Sequence, residues 1–143
     1  RKNMTPTDVL TMMNKKSGLL GLAGDSDMRN VCARYDAGEE NAILAIEMWG
    51  YVLRKYIGSF IAAMGGVDAI IFTAGIGEND CAGRARAVEG LECFGIKLDP
   101  ERNKVRGEEA KISADDSKVQ VWVIPTNEEI MIARDTKELV ENA

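Results

Sequence analysis

A short apolar run followed directly by glycines constrains the fold of this chain more than any other feature. Residues 69–73 read Ala-Ile-Ile-Phe-Thr and are rich in β-branched and aromatic side chains. Such a continuous apolar run is typical of a strand that is buried on both faces of a parallel sheet. Two glycines follow it, and we expect a loop over residues 75–79 and then a helix that begins near Asp80. A strand, a glycine loop and a helix in this order indicate an α/β fold.

The remaining segments add helices and a second strand. Apolar side chains at three- and four-residue spacing predict a long helix over residues 42–64, ended by Gly65 and Gly66. Residues 119–124 predict a strand that Pro125 closes. Further helices are expected over about 5–16, 25–37, 80–93 and 127–140, with a loop over 18–24 and a weaker strand over 94–98. A sheet this small has unpaired edges, so we expect its other strands to lie in sequence outside this chain or in a partner chain.

The composition limits the chemistry that is available. The chain has 143 residues and a net charge of −5, with no basic run, which argues against a general nucleic-acid or anionic-membrane binder. Glu47, Arg54 and Lys55 interrupt the longest apolar stretch, which predicts a buried helix and not a membrane span. The chain has no histidine, so the commonest general base and most zinc sites are excluded. Its three cysteines form no CxxC pair, which favours a reducing compartment.

The glycine segment is the first candidate site. Glycine lets the backbone approach a ligand closely, and free N–H groups at a helix start favour phosphate. The segment is not a dinucleotide fingerprint, because Asp80 stands where the third glycine would be, and no Gly-Lys-Ser/Thr follows to make a P-loop. From spacing alone, a phosphate site and a tight turn into a helix both remain open.

The second candidate is residues 125–129, which read Pro-Thr-Asn-Glu-Glu. Thr126 and Glu129 have the spacing of a capping box. Glu128 would lie in the first helical turn just past the carboxyl end of a strand, where ligands of α/β proteins bind. A carboxylate there can hold Mg²⁺ directly or through water, and it can equally serve only the helix N-terminus.

Other polar residues allow two interpretations each. Asp27 and Arg29 either belong to a helix start capped by Asp25 or Ser26, or lie at the lip of a pocket and bind the polar part of a ligand. Two arginines close to the glycine segment, Arg84 and Arg86, either meet phosphate or occupy solvated helix positions.

Together these segments resemble the C-terminal part of the acetate kinase family. The matching stretches follow the family's order and cover essentially the whole chain. They are residues 4–6, 17–21 with 27–29, the signature FTAGIGEN at 72–79, LECFGIKLDPERN at 91–103, 112–113, and VIPTNEE at 123–129 with 132–136. A resemblance of this extent is more specific than any of the single motifs.

The resemblance implies part of an actin/hexokinase-like (ribonuclease H-like) ATPase domain, with an incomplete sheet and packed helices. It implies that residues 1–143 form the C-terminal nucleotide-binding portion of a cytoplasmic homodimer, whose N-terminal domain and upstream part of the second domain precede this chain. The implied activity is the reversible transfer of the γ-phosphoryl group of ATP to acetate, which gives acetyl phosphate and ADP. Because the family's acceptor residues lie upstream, we expect no catalytic residue here and no turnover by this chain alone.

The resemblance also implies roles for individual residues. Those that match the family's contacts to the adenosine end of ATP are Asp27, Met28 and Arg29. Those that match its nucleotide-lining segment are Gly75, Ile76, Gly77, Glu78 and Asn79. Glu128 would help to hold Mg²⁺, with Mn²⁺ as an alternative. Positioning and charge neutralisation of this kind are what phosphoryl transfer requires.

Three other hypotheses remain. A propionate or butyrate kinase of the same family would share these nucleotide motifs, because the acceptor pocket lies upstream. A nicotinamide-dependent dehydrogenase is disfavoured by Asp80 and by the lack of an acidic residue at the end of a second strand about 20 residues on. A non-catalytic nucleotide-binding or interaction module would keep the fold without the chemistry.

Overall fold

The computed structural model describes residues 4–142 and divides the chain into two compact units, Arg1–Tyr56 and Ile57–Ala143. The first unit is helical and the second has mixed α/β structure. One long helix crosses the boundary between them.

The first unit contains α1 (Pro6–Lys15), α2 (Gly18–Ala23), α3 (Met28–Asp36) and the start of α4 (Glu40–Met64). Thr5 caps α1 and shares a capping box with Asp8, which confirms the predicted start of that helix. The loop expected over residues 18–24 is wrong, because α2 occupies it and ends at Gly24 with a left-handed φ of 74°.

A small apolar core explains why α2 forms in spite of its glycines. Burial of one face of α2 offsets the conformational cost of glycine in a helix. The buried residues are Ala23, Val31, Ala42, Ala45 and Ile46, and the side chains packed against them are Leu19, Leu22, Met28, Cys32 and Tyr35.

The second unit begins with the end of α4 and adds three strands and three helices. These are β1 (Ala69–Phe72), α5 (Ala74–Asn79), α6 (Cys81–Val88), β2 (Ala110–Lys111), β3 (Gln120–Val123) and α7 (Glu128–Glu141), with 3₁₀ turns at Glu92–Phe94 and Arg102–Lys104. The helix expected to reach Cys93 ends at Val88, and Gly90 follows with a left-handed φ of 78°. The weaker strand expected over 94–98 is reduced to isolated bridges at Ile96 and Leu98.

The three strands form one sheet in the order β1-β3-β2. β1 and β3 are parallel, and Ala69 to Phe72 pair with Gln120 to Val123. β2 is antiparallel to β3. The parallel pair confirms the α/β prediction and brings the carboxyl ends of β1 and β3 to the same edge of the sheet.

Only one face of β1 is covered in the described chain. Ile70 and Phe72 are half-buried against the core, whereas Ile71 is 56% exposed. The prediction of burial on both faces is therefore wrong for β1, although Val121 and Val123 of β3 are fully buried. The core of this unit consists of Ile61, Val88, Leu91, Ile96, Ile112, Val119, Val121 and Val123.

Helix α4 confirms its predicted extent but not its predicted burial. Ala42, Ile46 and Ile61 are buried, while Phe60 and Met64 are 60% and 64% exposed. Its apolar surface is broader than the face that the described residues cover. Within residues 4–142, no helix is both long enough and apolar enough to cross a bilayer.

Candidate functional site

The glycine segment after β1 forms a short helix and not the expected loop. Thr73 is extended, Ala74 has a left-handed φ of 58°, and α5 follows to Asn79. A left-handed backbone costs an L-residue about 1 kcal/mol, and such strain gathers at functional sites. Asp80 then caps α6 by accepting a hydrogen bond from the Gly83 N–H at 2.8 Å, so the predicted helix start near Asp80 is confirmed.

The carbonyl groups of α5 are tied to four different donors. The carbonyl of Gly75 accepts from the side-chain amide of Asn79 (3.0 Å), and that of Ile76 accepts from the Asp80 N–H (2.9 Å). The carbonyl of Gly77 accepts from the guanidinium of Arg84 at 2.8 Å. That of Glu78 accepts from the Gly107 N–H at 3.2 Å. A helix of only 6 residues is thereby held in place by tertiary contacts and not by its own ladder alone.

The two glycines of α5 have different environments. A methyl group at Gly77 would lie 3.1 Å from the carbonyl carbon of Phe72, so this glycine allows α5 to pack against the end of β1. A methyl group at Gly75 would meet nothing within 4 Å. Only Gly75 therefore has open space beside it that a ligand could occupy.

Glu78 joins the first and second candidate segments. Its Oε1 accepts hydrogen bonds from the backbone N–H of Thr126 at 2.8 Å and from the Thr126 hydroxyl at 3.1 Å. The predicted capping role of Thr126 is wrong, because Asn127 caps α7 by accepting from the Ile130 N–H. The contact between Glu78 and Thr126 spans 48 residues of sequence and fixes α5 beside the start of α7.

Glu128 is the first residue of α7, so its predicted place in the first helical turn is confirmed, and it is exposed. Among residues 4–142, no group of three or more acidic, cysteine or histidine side chains lies close enough together to hold a metal ion. A single carboxylate does fit Mg²⁺ that is bound mainly by phosphate oxygens and water, because this ion commonly takes only one or two protein carboxylates. A metal site built from protein ligands alone does not fit the described residues.

Arg84 fits neither of its predicted roles. The residue is 1% exposed, and its guanidinium donates to the carbonyls of Gly77 (2.8 Å), Asn103 (2.6 Å) and Val105 (2.7 Å) and to the side-chain oxygen of Asn103 (2.9 Å). Burial lowers the pKa of the Arg84 guanidinium below its ordinary value. With each of its three nitrogens bonded to these oxygens, Arg84 links α5 to the turn at residues 103–105.

Asp27, Met28 and Arg29 lie in the other unit, at the start of α3. Asp27 is the cap of that helix, in place of the predicted Asp25 or Ser26, and accepts from the Arg29 N–H at 2.9 Å. Its carboxylate also pairs with the Arg29 guanidinium at 2.6 Å, which lowers the pKa of Asp27 to about 2. Met28 packs in part against the apolar core of the first unit. The Arg29 side chain is 90% exposed.

Comparison with known proteins decides the family. Residues 1–134 match the model of the Acetokinase family. The chain belongs to this family. It is 52% identical over 141 residues to the acetate kinase of Dictyoglomus turgidum, and the match covers 98% of this chain and 35% of that protein. The chain therefore spans about a third of the length of the relatives that it matches.

Solved structures agree with the family assignment. The Porphyromonas gingivalis acetate kinase matches with a TM-score of 0.89 and 42% identity, over 97% of this chain and 35% of that one. A propionate kinase from Francisella tularensis matches with a TM-score of 0.82 and 37% identity, over 91% of this chain and 33% of that one. The expected fold, part of an actin/hexokinase-like α/β domain, is confirmed by these neighbours.

Proposed function

We propose that this chain forms the ATP-binding part of an acetate kinase, which transfers the γ-phosphoryl group of ATP to acetate and gives acetyl phosphate and ADP. The main support is that acetate kinases match along almost the whole chain, in sequence and in fold. We further propose that it works in the cytoplasm as part of a homodimer that binds neither nucleic acid nor membrane, as the family resemblance implies.

In this function the α5 segment lines the nucleotide site. Gly75 has open space beside it, and Ala74 carries backbone strain immediately before it. Gly77 and Glu78 have their carbonyls already bonded, so the segment is rigid before a ligand arrives and little ordering entropy is lost on binding. We assign Ile76 and Asn79 to the same lining, and Asp27, Met28 and Arg29 to the adenosine end of ATP.

Glu128 is assigned to Mg²⁺, or Mn²⁺, shared with the phosphates of the nucleotide. The ion would neutralise charge on the transferring phosphoryl group. This chain's own part is to position the nucleotide. Hydrogen bonds to Arg84 and to Thr126 hold α5 in place, so the phosphate bound beside it is kept in one orientation for transfer. No residue of this chain is assigned to acetate or to proton transfer.

The acceptor is tested on the protein produced from its complete reading frame. We expect formation of the acyl phosphate to require ATP and a divalent cation, with a higher kcat/KM for acetate than for propionate or butyrate. Equal or better use of propionate would favour the propionate kinase reading, which the Francisella neighbour supports less strongly. ATP binding without turnover of any of these acids would favour a non-catalytic module, and NADH binding in place of ATP would favour a dehydrogenase.

The metal role of Glu128 is tested by a matched pair of variants. Glu128 and Glu129 are adjacent and exposed in the first turn of α7, so Glu128→Gln and Glu129→Gln make the same charge change at the same helix end. We expect Glu128→Gln to lower kcat by about 100-fold, the scale of losing one electrostatic contact to the transition state, and to shift the Mg²⁺ dependence. Glu129→Gln should leave both within about twofold. Equal effects of the two variants would remove Glu128 from the metal role.

A further inference from the structure

Arg84 occupies an unusual position for an arginine. It is 1% exposed, yet none of its four hydrogen bonds goes to a carboxylate; the acceptors are three backbone carbonyls and the side-chain oxygen of Asn103. A buried guanidinium loses its hydration, so it persists only where its donors are satisfied by good geometry. Such a group fixes the positions of the segments that it joins.

The segments joined by Arg84 are α5 and the turn at residues 103–105. Its Nη1 donates to the Gly77 carbonyl at 2.8 Å, while Nε and Nη2 hold Asn103 and Val105. Asn103 is itself 7% exposed and donates from Nδ2 to the Cys81 carbonyl at 2.8 Å. The network therefore binds both the C-terminal half of α5 and the first turn of α6 to one turn that is 19 or more residues away in sequence.

We propose that Arg84 is a positioning residue for nucleotide binding, which acts by holding the Gly77 carbonyl, and with it α5, against the turn at residues 103–105. This inference rests on the proposed function, in which α5 lines the nucleotide site. Asn103 anchors the other end of the same network. We expect neither side chain to touch the ligand, because Arg84 is 1% exposed and Asn103 is 7% exposed.

The test measures the KM for ATP and the KM for acetate separately, and not the overall rate alone. In the protein from its complete reading frame, Arg84→Lys keeps the charge but cannot reproduce the planar set of four bonds. We expect it to raise the KM for ATP by about tenfold or more, since small misplacements of binding groups have effects of this size, with the KM for acetate unchanged. Arg134→Lys, the same change at an exposed arginine of α7, should leave both KM values within about twofold.

Asn103→Ala is a second variant, which can be measured even if Arg84→Lys does not fold. It removes one of the four bonds to Arg84 and the bond to Cys81, but it keeps the Asn103 carbonyl as an acceptor. The KM for ATP should rise in the same direction by a smaller factor. Faster amide hydrogen exchange at residues 77–79 should accompany the rise in both variants.

The outcomes separate this inference from the proposed function. If the unaltered protein shows no turnover that depends on ATP and acetate, the proposed function fails. If the unaltered protein turns over but both variants keep the KM for ATP and lose only the amount of active protein, Arg84 is a purely structural residue and the inference is overturned. An equal rise in the KM values for ATP and acetate would also overturn it. Should Arg84→Lys not be recovered in folded form, Asn103→Ala decides on the same criteria.

Discussion

The α5 junction (residues 72–84) and the start of α3 (residues 25–29) are two helix starts that differ in how their hydrogen bonds connect them to the rest of the chain. At the α5 junction, hydrogen bonds reach across the sequence: Arg84 contacts Asn103 and Val105, and Glu78 contacts Thr126. At the start of α3, every described side-chain bond is local and spans 5 residues or fewer. One arginine is 1% exposed in the first region, and the other has a side chain that is 90% exposed in the second.

This difference separates a rigid region from an adaptable one, at the two places that we propose bind ATP. Contacts that are distant in sequence tie the α5 junction to the core, so its geometry persists until a large part of the second unit unfolds. Local contacts at an exposed helix start are screened by water and are easily exchanged for contacts to a ligand. We therefore expect substitutions at the α5 junction to change stability and ligand geometry together, and substitutions at residues 25–29 to change ligand contacts with little effect on the fold.

The largest change in stability is expected from substitution of the two glycines of α5, which tests whether the α5 junction is rigid. Gly77→Ala forces a methyl group to within 3.1 Å of the Phe72 backbone, a strain of the overpacking kind. Gly75→Ala adds a methyl group in open space and gains the helix preference of alanine. We expect the free energies of unfolding of the two variants to differ by about 2 kcal/mol, with Gly77→Ala the less stable. Denaturant unfolding of both variants measures this difference.

The same pair also distinguishes packing from ligand binding. Gly75→Ala should weaken ATP binding while it keeps or improves stability, because its methyl group would occupy the space assigned to the nucleotide. Equal stability of the two variants would show that α5 can shift away from β1, and the rigid description of this junction would be wrong. Unchanged ATP binding by Gly75→Ala would place the nucleotide elsewhere.

A smaller effect is expected at the bond between Glu78 and Thr126. Glu78→Ala removes the acceptor of both Thr126 donors, and we expect a loss of about 1 kcal/mol in the free energy of unfolding, since Glu78 is half-buried. Glu78→Gln keeps an acceptor oxygen and should lose less than half of that. Glu108→Ala, at an exposed glutamate of the same unit, is the control and should have no measurable effect. A loss for Glu78→Ala no larger than the control's would mean that this cross-link adds nothing to the junction.

The sequence predicted those parts of the fold that depend on local pattern. The spacing in α4, the helix start near Thr5 and the apolar run of β3 each express a local preference, and all three elements were confirmed. The helical form of α5 and of α2 was missed, because glycine weakens the local signal and tertiary contacts decide the conformation. The exposure of Ile71 was missed because burial depends on what covers a strand and not on the strand itself.

The sequence predicted where the candidate segments lie in the fold but not the hydrogen bonds that connect them. The segments around Gly75 and Glu128 were identified from their place after strands, whereas the bond from Glu78 to Thr126 spans 48 residues and leaves no periodic signal. The position of Arg84 did leave a periodic signal. It lies three and four residues before Ala87 and Val88, which are both buried, so it falls on the buried face of α6. That spacing could have excluded the solvated interpretation of Arg84.

The smallest effect on stability is expected from titration of Asp27 at the start of α3. The Arg29 side chain lowers the pKa of Asp27 from 3.8 to about 2 in the folded chain. Because the folded pKa is the lower one, the stabilisation is complete above pH 3.8 and is lost as the pH falls from 3.8 through about 2. A carboxyl ¹³C titration should place the midpoint of Asp27 near 2, and Arg29→Gln should return it toward 3.8. A midpoint of 3.8 in the unaltered chain would mean that the pair between Asp27 and Arg29 does not persist in water. The local contacts at residues 25–29 would then be weaker than described above, and the contrast with the α5 junction would be larger.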